Sequence, residues 1–284
     1  MREPAPADLD TLGAVFGFHP LALEDSLHFG QRAKLEEYDD FIFLVVYGWA
    51  PDHLVEVHCY YSERFLVTVR RDEAPALEEA RALCARTLAR ASDAAALVLH
   101  HVVDGLVDSF LPALEGLDAR LEAIEDELLE RPGERQIEEI LSMRRRLAVL
   151  RRGVSPQRDL FGRLSGGVAD LPGMTAEAER QFRDVFDHLL HLGEMIDAQR
   201  DLVTGVIEIY LSASSNRLGS VTKQLTLIAT IFLPLTFVTG FFGQNFGWMV
   251  ARVDSWRAFL ALGLGLQLVA TGGIVAYFKR RGWF

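Results

Sequence analysis

The chain is poor in cysteine. Cys59 and Cys84 are its two thiols, and they stand in no metal-binding spacing. That excludes a disulfide framework or a cysteine-built metal centre and predicts reduced core thiols on a cytosolic face. Basic charge is scarce as well: 29 Lys and Arg stand against 40 Asp and Glu, a net charge of −11. Such a surface is ill suited to nucleic acid, whose affinity comes from neutralising phosphates, and it suits a protein that gathers cations. No phosphate-cradling P-loop is present, so no ATPase is expected and the chain is not read as an enzyme. The opening Met1-Arg-Glu-Pro-Ala-Pro6 has no apolar core of the secretory kind, and no signal peptide is expected.

The most telling shortage is of charge near the C-terminal end. Residues 225 to 278 contain only Arg252, Asp254 and Arg257. Leu225 to Phe242 gives 18 uncharged residues and Phe259 to Phe278 gives 20. Each is long enough to cross a hydrocarbon core of about 30 Å. Core helices are rarely apolar on every face, so two spans are predicted, joined by the extracytoplasmic loop 243–258. Arg217 and Lys223 precede the first span, and the basic tail Lys279, Arg280 and Arg281 follows the second. The positive-inside rule then puts both termini in the cytoplasm of a multi-pass protein of the cell (inner) membrane. Trp248, Trp256, Tyr277 and Trp283 fall where an aromatic belt would lie.

Ahead of the spans the pattern is mixed. His19 to Leu27 reads as a short helix with proline at its start. Phe41–Trp49, Leu54–Tyr61 and Phe65–Val69 are β-branched and aromatic runs, broken by Pro51-Asp52 and Ser62-Glu63-Arg64, as in an antiparallel meander. A helix over 75–90 should pack on that sheet. Helices are then predicted over 93–130, stopped by Arg131-Pro132-Gly133, and over 134–164. The arginine runs 144–146 and 151–152 are expected to be solvated or paired with the acidic segment 122–130. A third helix begins after Thr175, a candidate N-cap, and meets no breaker before the first span. Residues 175–242 as one helix would measure roughly 100 Å, the length of a stalk. The organisation is therefore an α+β cytoplasmic part (1–92), long helices and stalk (93–224), and a transmembrane hairpin (225–284).

All eight histidines precede residue 192, and the first span has no ionisable side chain, so the usual intramembrane proton relay is missing. Its polar atoms come from Thr226, Thr230, Thr236, Thr239 and the backbone freed by Pro234. Thr222, Leu225, Ala229, Leu233, Thr236 and Gly240 form one helical face. That face either packs on the second span or lines a pore among several copies, and periodicity leaves both open.

Leu225 to Phe237 followed by Gly243-Gln244-Asn245 resembles the first membrane helix and signature loop of the CorA divalent-cation channels. The likeness extends through Asp184-Val-Phe-Asp-His188, Ile209-Tyr-Leu-Ser212, Leu106 to Pro112, His19 to Asp25 and the Lys279-Arg-Arg-Gly-Trp283 tail. It implies a homopentamer with a funnel-shaped cytoplasmic domain and Mg²⁺ as the transported ion. Its pore positions fall on Gly219, Thr222, Leu225, Ala229, Leu233, Thr236, Gly240 and Asn245, which meet most of the independently drawn face. A ring of Asn245 amides would accept hydrogen bonds from the hydration shell of Mg²⁺, an ion that dehydrates reluctantly. Gly243 would let the chain turn at the helix end.

Asp184, Asp187, His188, His191 and Glu194 recur at three- and four-residue spacings on one helix face. Individually they read as a solvated stripe. The resemblance makes Asp184 a regulatory metal ligand at a subunit interface, where intracellular Mg²⁺ bridging to a neighbouring subunit holds the channel closed, with Glu36, Glu37, Asp39 and Asp40 a cluster to test for its partner. Departures from the family pattern are Gln244 for the usual methionine, Arg252 in the loop, and Gly219, Ser220 and Thr222 near the inner mouth. The leading expectation is passive, potential-driven Mg²⁺ uptake, with Co²⁺ or Ni²⁺ as companions. The alternatives are a ZntB-like proton-coupled Zn²⁺ transporter and a non-conducting, membrane-tethered sensor.

Overall fold

The computed structural model describes residues 1–87, 94–130, 133–244, 246–253 and 255–283. The chain divides into two compact units, Met1–Tyr210 and Leu211–Phe284.

The first unit opens with α1 (Pro6–Phe16) and α2 (Pro20–Asp25), each with proline at its start, where a missing N–H costs nothing. His19 caps α2 by accepting from the Leu21 N–H. A four-stranded antiparallel sheet follows in the order β1 (Lys34–Glu37), β2 (Ile42–Ala50), β3 (His53–Ser62), β4 (Phe65–Arg70). The meander is the one its aromatic and β-branched runs predict, closed by two-residue turns after Ala50 and Ser62. β2 is buried along its whole length, so it is covered on both faces.

β1 pairs only with Ile42–Val45 and leaves the rest of that edge of β2 without a strand. Two side chains take over there. The Tyr47 N–H donates to Gln157 Oε1 at 2.9 Å, and the Trp49 N–H donates to Ser109 Oγ at 2.7 Å. A buried edge with unpaired N–H groups would be costly, and these bonds remove that cost.

The single helix expected over 93–130 is two: α4 (Ala94–Asp108) and α5 (Leu111–Glu130). The break falls on Ser109, whose hydroxyl donates to Leu106 O and accepts from Trp49 N. That bond from Trp49 satisfies the sheet edge where α4 ends, and Pro112, which has no N–H to continue the helix, sits in the first turn of α5. An 18-residue stretch within 95–128 is apolar enough to suggest a span, but half of it is buried inside this unit. α3 (Pro75–Thr87) precedes them, and α6 (Glu134–Ser165) returns with Gln157 fully buried.

α7 runs without interruption from Ala176 to Phe242, and Thr175 Oγ1 accepts from the Ala178 N–H at its start. Its first half contributes Phe182, Val185, Leu189 and Ile196 to the same core as the sheet. The arginine runs of α6 are largely solvated, one of the two outcomes expected: Arg144, Arg145, Arg151 and Arg152 are exposed. Among the described residues none pairs with the acidic segment 122–130. Arg146 lies 5.5 Å over the Trp49 ring and donates to Pro51 O, and Arg151 faces Asp197 at 3.6 Å.

The second unit holds the remainder of α7, the short α8 (Gly247–Arg252) and a helix over Trp256–Arg280. That last helix is α9 (Trp256–Ala258), a π-wound segment over Phe259–Gly265 and α10 (Leu266–Arg280). The π turn was not foreseen.

Candidate ion pathway and metal-binding cluster

The second half of α7 is long, apolar and largely without cover in a single chain. Gly219, Thr222, Leu225, Ala229, Leu233, Thr236 and Gly240 are all exposed, Leu225 at 63% and Leu233 at 73%. An exposed, largely apolar stretch of this length marks a surface for lipid or for neighbouring copies. The threonines satisfy themselves: Thr226, Thr230 and Thr236 each donate to the carbonyl four residues back at 2.8 Å, and Thr239 does so to Leu235 O at 2.9 Å. Pro234 has no N–H for Thr230 O, which therefore lacks its usual helical donor.

α7 stops at Phe242. The Gly243 N–H bonds back to Thr239 O at 2.9 Å, and a Cβ added at Gly243 would sit 2.9 Å from that oxygen. The glycine is required by this close approach, since its φ is not left-handed. Gln244 borders an apolar cavity of about 190 Å³ shared with Phe242, Met249, Val253, Phe259 and Leu262. Asn245 lies outside the described residues. In the tail, Lys223 of α7 lies 5.6 Å over the Trp283 ring and Arg281 lies 5.7 Å over Tyr277. Lys279, Arg280 and Arg281 are exposed.

The stripe on the first half of α7 splits. Asp184 and His188 meet α4; Asp187, His191 and Glu194 stay exposed with no ion pair among the described residues. His188 Nε2 lies 3.8 Å from Asp184 Oδ2, while its Nδ1 lies 3.8 Å from Asp104 Oδ1 and 3.6 Å from Asp108 Oδ1. One ligand atom each from Asp104, Asp184 and His188 falls within a 4.8 Å span. Burial, then the Asp104 carboxylate, push the Asp108 carboxyl above its ordinary range. Beside them His100 is buried, and that burial pushes its pKa below the usual histidine value.

Three carboxylates crowd one imidazole, and a divalent cation placed among them would offset their mutual repulsion. The two aspartates supply the oxygen ligands that a hard cation takes, and His188 adds a donor that favours softer ions. Asp104, Asp108 and His100 were not singled out in the sequence. Their spacing on α4 was a usable signal, for 100, 104 and 108 recur every four residues. Glu36, one of the four acids raised as a partner region, pairs with Lys34 at 2.6 Å within its own chain.

Residues 1–280 match the family described as "CorA-like Mg2+ transporter protein". The chain belongs to that family. It is 32% identical to the cobalt/magnesium transport protein CorA of Thermotoga maritima, over 96% of this chain and 78% of that one. It is 29% identical to the zinc transport protein ZntB of Pectobacterium carotovorum, over 82% of this chain and 69% of that one. The fold is that of the solved CorA magnesium transporter of Methanocaldococcus jannaschii, with a TM-score of 0.87 and 24% identity over all of this chain and 90% of that one. A CorA-like membrane transporter thus carries both the α7 face and the Asp104–Asp184–His188 cluster.

Proposed function

We propose that the chain forms a homopentameric channel for passive Mg²⁺ uptake, with Co²⁺ and Ni²⁺ as companion ions. The observation that carries this reading is the run of seven exposed, uncharged positions on α7, Gly219 to Gly240, leading to the Gly243-Gln244-Asn245 loop. Copies arranged about an axis turn that face inward, lay Trp256–Arg280 toward lipid, and keep both termini in the cytoplasm. Amide oxygens of Asn245 and Gln244 accept from the water shell of the ion, so capture is weak enough for release. With no ionisable group in the first span, the driving force is electrical: about 4.6 kcal/mol per 100 mV for a divalent ion, twice the single-charge value. That is more than roughly a thousandfold in concentration.

Asp104, Asp184 and His188 hold the regulatory divalent ion in this reading, where its charge offsets the crowded carboxylates and favours the closed ring. Conduction by Asp184→Ala with unchanged inhibition by internal Mg²⁺ would remove that role.

The deciding experiment is Mg²⁺ entry into proteoliposomes at an imposed inside-negative potential, wild type against Asn245→Ala. Flux that collapses in the variant is expected. Intact pentamers with no flux in either would overturn the channel reading and favour a membrane-tethered sensor. The likeness to ZntB and the imidazole in the cluster support proton-coupled Zn²⁺ transport as a second reading. It requires Zn²⁺ flux that follows an imposed pH gradient at zero potential.

A further inference from the structure

One cavity in the first unit runs against the charge of this acidic chain. It measures about 880 Å³ and is bordered by the segment before β1, the middle of β2 and β3, α6 and α7. Arg32, Arg71, Arg151, Arg152 and Arg200 line it, against the carboxylates of Glu56 and Asp72. In a chain with 29 basic and 40 acidic residues, five guanidinium groups on one concavity are a marked reversal.

The acids nearby neutralise them only in part. Glu56 is 7% exposed and is committed elsewhere. It accepts from the Gly30 N–H at 2.5 Å, the Gln31 N–H at 3.2 Å and His58 Nε2 at 2.7 Å. These bonds fix the segment that forms one wall. Arg151 and Arg200 share the single carboxylate of Asp197, at 3.6 and 3.3 Å, and Arg32 reaches Asp159 only at 3.4 Å. Asp72 makes no ion pair among the described residues. Arg71 and Arg152 likewise have no carboxylate partner among them, and Arg71 is held 4.8 Å over the Phe29 ring.

We propose that this cavity binds a soluble phosphate polyanion of the pyrophosphate or triphosphate class. Guanidinium forks pair bidentately with phosphate oxygens, which lysine-rich surfaces cannot do. The volume exceeds what one phosphate fills, and the arginines are spread over three walls, so a chain of phosphates is the matching shape. No base platform is built in: Phe29 is already stacked on His58 at 4.7 Å and covered by Arg71. A bound polyanion ties the segment 29–32 to α6 through Arg151 and Arg152 and to α7 through Arg200. It therefore braces the helix that also carries Asp184 and His188. The proposal does not depend on which ion the chain transports.

The test is isothermal titration of the full-length protein in detergent, in Mg²⁺-free buffer, with pyrophosphate, tripolyphosphate and ATP as probes. Saturable pyrophosphate binding at one per chain is expected. Arg71→Gln and Arg152→Gln should each weaken it at least tenfold, while Arg144→Gln, exposed on α6 outside the cavity, should bind as wild type does. Circular dichroism and elution volume keep the comparison to folded, assembled protein. Equal affinity for tripolyphosphate and ATP is expected, and a tenfold preference for ATP would overturn the phosphate-only recognition. Heat that fails to saturate, or that both cavity variants leave unchanged, overturns the site. Wild type that binds no pyrophosphate, with cavity variants that lose their assembly, also overturns it and assigns the arginines to an acidic surface of a second copy.

Discussion

Asp104 on α4 and His188 on α7 approach to 3.8 Å, oxygen to nitrogen, and Asp184 closes the group from one turn back on α7. A divalent ion bound there stabilises the folded protein by mass action, about 2.7 kcal/mol at a hundred times its dissociation constant. Thermal melting in detergent should therefore rise with Mg²⁺ and with Co²⁺. Asp104→Asn should abolish both shifts, because it removes an oxygen ligand. His188→Ala should diminish the Co²⁺ shift more than the Mg²⁺ shift, because only the softer ion gains from imidazole. Equal shifts in all three proteins would exclude the cluster as the site.

Gly243→Ala tests the end of the first span. The new methyl group would lie 2.9 Å from Thr239 O, a backbone atom that cannot swing aside. The loop must move, and Mg²⁺ flux should fall severalfold while the protein still assembles. A fully active variant would mean that the loop geometry is not tied to conduction.

Gln157→Leu tests the bare edge of β2. Leucine nearly conserves volume but leaves the Tyr47 N–H buried without an acceptor, at a cost of about 1–3 kcal/mol. The melting temperature should drop, with flux per folded channel retained. An unchanged melting curve would mean that water replaces the amide.

The Glu56 carboxyl carries a pH signature. Burial works to raise its pKa, but the His58 hydrogen bond and the Gly30 and Gln31 N–H groups outweigh it and hold the value below the ordinary carboxylate range. A carboxyl lowered on folding contributes stability that is complete above its unfolded pKa, about 4.3, and is lost as pH falls through the folded value. Glu56→Gln should thus be destabilised by about 1–3 kcal/mol at neutral pH. The gap to wild type should narrow as pH drops below the ordinary range. A gap constant down to the acid limit would show that the charge is irrelevant.

The two thiols should differ in reactivity. Burial pushes Cys59 up to about 12, whereas Cys84 is half-buried and raised less severely. Maleimide at neutral pH should label Cys84 in the folded protein and reach Cys59 only after unfolding, as peptide mass spectrometry would report. Early labelling of Cys59 would show that the sheet opens locally.

Much of this architecture could be read from the chain because it rests on local patterns. β2 to β4 announce themselves by branched and aromatic residues, and α7 by the absence of any breaker after Thr175. β1 does not, since Lys34-Leu-Glu-Glu37 is a short, charged edge strand that owes its form to pairing with β2. The interruption at Ser109 shows in the sequence only as Pro112, because the N–H that engages the Ser109 hydroxyl belongs to Trp49, far away in sequence. The cation cluster was half legible for the same reason. Asp184 and His188 share a helix and a spacing, while Asp104 joins them only through packing. The π winding over Phe259–Gly265 leaves no imprint that periodicity would detect.

Thr226, Thr230, Thr236 and Thr239 spend their hydroxyl protons on their own helix. What each has left to offer is lone-pair density. Thr236, on the proposed lining, can thus greet a hydrated cation as an acceptor yet has no proton to extend to chloride or phosphate. In the proposed channel such a lining would favour cations without a formal charge in the span, and so would neither trap a divalent ion nor depend on the acidity of either compartment.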